Sequence, residues 1–204
     1  MHGFEHVARV YSMAVHLAQL EGADAEIVAA AALLHDAGNN SQQEGATEPQ
    51  ALPETRPAHH HAAAEFAQTI LDEEGWPAER IAAVQHCIRS HRFRDEREQP
   101  QTLEAKVLFD ADKLDAIGAI GAARAIGYAV QAGQPFYAPV SEQFRQSGIN
   151  EPGEAHSAYH EYIFKLRWLK DRLYTQAGRQ IAIGRHRMLE EFFKQLVSEY
   201  HGEG

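Results

Sequence analysis

The 204-residue sequence predicts an all-α fold, a multi-helix bundle with two long loops. Three observations predict it. Apolar residues recur at steps of three and four along most of the chain, the signature of helices with one buried face. No segment alternates apolar and polar residues as a half-buried strand does. The stretches without periodicity gather at 38–57 and 131–155, both rich in Gly, Pro and polar residues.

The elements follow in order. Val7, Val10, Tyr11, Ala14, Leu17 and Ala18 draw one face of a first helix, ended by Gly22. Ala25 to Ala37 is nearly all Ala, Ile, Val and Leu, too apolar all round for a surface helix, and predicts a central buried one. His35 and Asp36 fall at its end. The stretch 38–57 carries three Pro and reads as a functional or disordered loop. Helical patterns resume at about 60–74 and 77–91, split by Gly75-Trp76-Pro77, with Pro77 suited to a first helical position. After a polar connector at 92–101, one long helical pattern runs from Thr102 to about Val130, interrupted only by Gly118, Gly121 and Gly127, where small residues permit close packing. Past the second loop, two last patterns at about 156–175 and 178–200 carry the stripes Ile163, Leu166, Leu169, Leu173 and Met188, Phe192, Leu196. Trp76 and Trp168 read as core. There is no internal repeat, and the length suits one domain over 1–204, with a metal-binding core at about 1–130 and C-terminal helices at about 156–200.

Composition removes several classes of function. With 44% apolar and 24% charged residues the chain is an ordinary soluble globular protein. No apolar run is long enough to cross a membrane, and the N-terminus lacks a signal peptide's apolar centre, so a cytoplasmic protein is expected. The net charge of −10 argues against strong nucleic-acid binding. The single cysteine, Cys87, excludes an internal disulfide and a Cys-rich zinc site, so a metal here must be held by His and carboxylate. Thirteen His raise that prospect, although His59-His60-His61 also suits a solvated stretch.

Four residues stand out once the helices are laid down: His6, His35, Asp36 and Asp112. Neighbours on a helix point about 100° apart, so His35 and Asp36 cannot share one apolar face, yet both can embrace an ion beside the helix end. His6 and Asp112 from neighbouring helices would complete a mixed nitrogen and oxygen shell suited to a divalent ion such as Mn, Mg, Ni, Fe or Zn. The alternative is that the carboxylates cap helices or form surface pairs and the His are satisfied core groups.

The strings HVARV at 6–10, AALLHDAG at 31–38 and DADKLDAIGAIGAAR at 110–124, in that order, resemble the HD-domain metal-dependent phosphohydrolases, and more closely a small bacterial subgroup of unassigned substrate. HEYIFKLRWLKDRLYTQAGRQIAIGRHRMLEEFF at 160–193 resembles that subgroup's C-terminal helices, so the resemblance covers most of the chain. It implies an HD-domain-like bundle with His6 as the first metal ligand, His35-Asp36 as the HD pair, and Asp112 as the last ligand because Lys113-Leu114 follows it. Asp110, about 200° round the helix, is the runner-up. Asp115 would be a supporting or substrate-contacting carboxylate, or lie on the surface.

Further roles are ranked below these. Asp36 and His91, the latter in IRSHRF, are the candidates for moving a proton. Arg9, Lys113 and Arg124 are candidate phosphate contacts, each with an ion pair as the alternative, and Arg94 is another. His61 and His86 would extend the site to two ions unless they serve packing. Two departures from the subgroup are visible: the chain starts only a few residues before His6, where an extra N-terminal helix is usual, so this copy reads as truncated there or its start as misassigned. Asn39-Asn40 also stand where charged residues are common. The expected activity is hydrolysis of phosphoester or phosphoanhydride bonds in a small phosphorylated molecule, a nucleotide foremost, by an enzyme that associates with no membrane. The alternative is a catalytically decayed metal- or nucleotide-binding module. A homo-oligomer is left open.

Overall fold

The computed structural model describes residues 3–37, 59–92 and 98–203, so the loop at 38–57, Asn39-Asn40 and Arg94 lie outside the described residues. Within them every regular element is helical, in agreement with the expected class: nine α-helices and one 3-10 helix. Residues 3–111 form one compact unit and 112–203 another.

In the first unit, α1 (Phe4–Glu21) buries Val10, Ala14, Leu17 and Ala18 as its spacing predicts, with His6 on the same face. Gly22 closes it in the left-handed conformation, φ +74°, its N–H bonded to the Ala18 carbonyl, a geometry that favours glycine. Helix α2 (Ala25–Leu34) begins on Asp24, whose carboxylate accepts the N–H groups of Glu26 and Ile27. It ends three residues earlier than the sequence predicts, and His35, Asp36 and Ala37 form a turn. Nor is it buried all round: Ile27, Val28, Ala31 and Ala32 are inside while Leu33 is 53% exposed. α3 (His59–Glu73) packs on α4 (Ala78–Ser90), and α2 lies against α1, α3 and α4. Pro77 is the N-cap of α4, one place before its expected position.

The long pattern at 102–130 is two helices, α5 (Leu103–Asp115) and α6 (Gly118–Gln131). Gly118 has φ +78°, and a Cβ there would lie 3.1 Å from Arg185 Cβ and Cγ; a Cβ on Gly121 would overlap the Ala116 carbonyl. The small residues therefore serve close packing, as read from the sequence, and also a break at Ala116-Ile117 that periodicity does not reveal. The division between the two units falls within α5, between Ala111 and Asp112.

In the second unit, the expected loop at 131–155 contains a short helix, α7 (Glu142–Ser147). The pattern at 156–175 is α8 (Ala158–Phe164) followed by the 3-10 helix Leu166–Arg172, and Ile163, Leu166, Leu169 and Leu173 are all buried. Steps of three suit the 3-10 period. In α9 (Gln176–Tyr200) the buried face is Ala182, Leu189 and Phe193, one position round from the expected Met188, Phe192 and Leu196, and Met188 is exposed. Phe193 stacks on Tyr162 with ring centroids 4.5 Å apart, an aromatic contact on that buried face. Trp168, expected in the core, is 47% exposed under the Arg167 guanidinium, and Trp76 is half-buried beneath Arg80. Cation–π contact lets a large ring sit at the surface.

Candidate metal centre

Three of the four expected ligands meet in the unit 3–111. His6 and His35 are almost fully buried, and the Asp36 carboxylate is mostly so. Asp36 Oδ2 lies 3.7 Å from His6 Nε2 and 3.7 Å from His35 Nε2, and one ligand atom from each residue falls within 4.8 Å of the other two. A separation of 3.7 Å is too long for a hydrogen bond, yet two atoms each about 2.0–2.2 Å from a common ion stand roughly 3–4 Å apart.

The local fold explains this placement. His35 is the C-cap of α2, and its Nδ1 bonds to the Ala32 carbonyl at 2.8 Å. A carbonyl only accepts, so Nδ1 carries the proton and Nε2 keeps the lone pair a cation needs. That Nε2 is buried and has no hydrogen-bond partner among the described residues, which costs free energy unless an ion completes it. The ring of His6 meets His35 at 5.5 Å between centroids and 65° between planes. The donor set, two imidazoles and one carboxylate, fits a divalent cation of the first transition row.

His91, the C-cap of α4, is buried and anchored in the same way, its Nδ1 on the Ile88 carbonyl. Arg9 reaches Glu5 at 3.9 Å across one helical turn and stays partly exposed. His86 is engaged at both ring nitrogens, by Glu98 at 3.0 Å and by the Gln101 N–H at 3.1 Å. Its ring is thus a strut between α4 and residues 98–101, the packing alternative of the sequence reading. His61 is exposed, whereas His60, from the run that suits a solvated stretch, is buried beside it. Burial pushes the Cys87 thiol up to about 12, so this cysteine is a packing residue. Asp110 is fully buried.

In the unit 112–203, Asp112 accepts from Lys113 Nζ at 2.5 Å. Asp115 is buried and is no surface carboxylate; it pairs with Arg124, which also donates to the Asp115 carbonyl. Two features went unread in the sequence. Arg185 on α9 donates to the Leu114 carbonyl at 2.6 Å. Glu154 in the second loop accepts from the Ser141 N–H, the Ser141 hydroxyl, the Glu151 N–H and His160 Nε2. His160 is fully buried, its Nδ1 accepting from the Ser157 hydroxyl at 2.7 Å. A Ser, His and Glu in hydrogen-bond series is a nucleophilic arrangement in a cleft, but here Ser157 is fully buried and caps α8, so the series is structural. The Ser157-Ala158-Tyr159-His160 capping spacing was its one legible signal.

Residues 3–117 match the HD domain. YpgQ of Bacillus subtilis, an uncharacterized protein, is 32% identical over 98% of this chain and 85% of its own length. The crystal structure of YpgQ in complex with ADP superposes with a TM-score of 0.70 at 32% identity, covering 97% of this chain and 89% of that one. An HD-superfamily hydrolase from Bacillus thuringiensis gives 0.71 at 29% identity over 99% and 88%. With the domain match spanning more than half of the sequence and YpgQ related over nearly all of it, the chain belongs to the HD-domain family.

Proposed function

We propose that the protein is a metal-dependent phosphohydrolase that cleaves a phosphoester or phosphoanhydride bond in a nucleotide, working as one functional domain. The observation that carries the reading is the cluster of buried His6 and His35 with half-buried Asp36, with the His35 Nε2 lone pair directed by the bond from Nδ1 to Ala32. His6, His35, Asp36 and Asp112 would hold the ion. The chemistry supplied by a bound divalent ion is charge neutralisation at phosphoryl oxygens and acidification of water. ADP bound to the related YpgQ supports a nucleotide as substrate.

The chain's own groups supply the rest. The Asp36 carboxylate is a proton acceptor beside the two imidazoles, and His91, anchored through Nδ1 on the Ile88 carbonyl, is the other candidate to take or give a proton. Arg9, Lys113 and Arg124 are the candidates for substrate phosphates, Lys113 and Arg124 from their ion pairs with Asp112 and Asp115.

Elemental analysis of protein purified without a tag or chelator, beside His35→Ala, tests this. About one divalent ion per chain, lost in the variant with helical content kept, is the expected result, followed by phosphate or pyrophosphate release from nucleotides. No metal in the wild type after loading with Mn2+ overturns the reading; metal without hydrolysis across a broad phosphate panel overturns the catalytic part of it and leaves a binding module.

A further inference from the structure

Three cations gather where α5 ends. Lys113 is held by Asp112, and Arg124 by Asp115. Arg185 arrives from α9 as a third cation. Its stem passes over Gly118, where a Cβ would come within 3.1 Å, and its Nη1 donates to the Leu114 carbonyl at 2.6 Å. Among the described residues no carboxylate lies within ion-pair distance of it; the carboxylate whose charge acts on it, Asp115, is already bonded to Arg124. Arg185 is half-buried, and burial pushes its pKa down, the mark of a guanidinium that has lost water without gaining a full counter-charge.

The partial negative charge at the end of α5 explains why the cation is tolerated there, but one carbonyl uses only one of five N–H donors. A half-desolvated guanidinium with donors to spare fits a phosphate, whose oxygens match its planar fork. We propose that Arg185 is a phosphate-binding residue, its remaining donors taking oxygens of a diphosphate group. This rests on the phosphohydrolase reading above, whose phosphoanhydride case supplies the diphosphate.

Titration of inorganic pyrophosphate into the metal-loaded protein, Arg185→Gln and Arg185→Lys tests it. Arg185→Gln should bind about tenfold more weakly or worse, with Arg185→Lys between it and the wild type, because a point charge replaces the fork. Manganese content per chain should not change. Equal affinity in Arg185→Gln and the wild type makes Arg185 a helix clamp alone and overturns the proposal. If Arg185→Gln fails to fold by circular dichroism, the wild type decides: the Arg185 Nε–H resonance, assigned through Arg185→Lys, should move on adding pyrophosphate, and a stationary resonance overturns the proposal. The two readings fail separately. A wild type that takes up no metal defeats the phosphohydrolase reading, while the same titration on metal-free protein still reads Arg185.

Discussion

His91 stands edge-on to His35, ring centroids 5.2 Å apart and planes at 84°, and each ring bonds through Nδ1 to the carbonyl three residues behind it in its own helix. Both are C-caps, so two helix ends satisfy a last-turn carbonyl with an imidazole and in doing so fix its tautomer. One device thus serves both helix ends and sets the tautomer of both rings.

If His91 handles the proton, His91→Asn keeps a polar cap on α4 but removes the exchangeable group. Turnover should fall by roughly 10²- to 10⁴-fold while metal content holds. Steady-state kinetics beside elemental analysis checks this; unchanged turnover assigns His91 to packing.

Asp24 supports the same helix from its other end. It caps α2 and also takes Arg80 Nη1 at 2.9 Å, with the Ile27 N–H foremost in holding its carboxyl below the usual range. Asp24→Ala should cost about 0.5–2 kcal/mol, measured by urea unfolding, and should weaken metal retention less than His35→Ala does.

The break between α5 and α6 depends on two glycines for different reasons. Gly118→Ala meets a backbone in the left-handed region, worth about 1–2 kcal/mol, and also the Arg185 stem 3.1 Å away. Gly121→Ala meets the Ala116 carbonyl, which is backbone and cannot turn aside, so the loss should be larger. Denaturant midpoints for the two variants test the order.

Acid should loosen the unit 112–203 through Glu154 and His160. Four donors, the Ser141 N–H foremost, hold the Glu154 carboxyl at about 2 against an ordinary 4.5, so its stabilisation is complete above 4.5 and disappears as pH falls toward 2. Burial holds His160 below its ordinary 6.5, so the unfolded chain takes up that proton first and stability also declines as pH drops under 6.5. Thermal melts from pH 8 to 3 should show this slope, and Glu154→Gln should lower the midpoint at neutral pH and flatten the slope below 4.5.

Much of this was legible in the residues. The first helix and its glycine stop follow from spacing, and the pairing of His6 with His35-Asp36 from the resemblance of HVARV and AALLHDAG to the HD-domain pattern. The early end of α2 was not, because Ala37 extends the apolar pattern past His35-Asp36 while the backbone turns at His35, whose ring bonds back onto the Ala32 carbonyl. The α5–α6 break was hidden for a related reason: Ala and Ile on either side keep the periodicity while a glycine's backbone angle and an arginine from α9 make the corner. Short helices such as α7 fall below the length at which periodicity registers, and the Glu154 series joins residues whose partners lie in loops, where no period exists.

Cys87 carries a practical consequence. It is the sole thiol of the chain, sealed in the core with a pKa of about 12. Maleimides and spin labels, which attack thiolates at accessible positions, should pass it by while the protein is folded. A cysteine introduced at any surface position then becomes a unique handle for a fluorophore or a paramagnetic tag without first removing the native one.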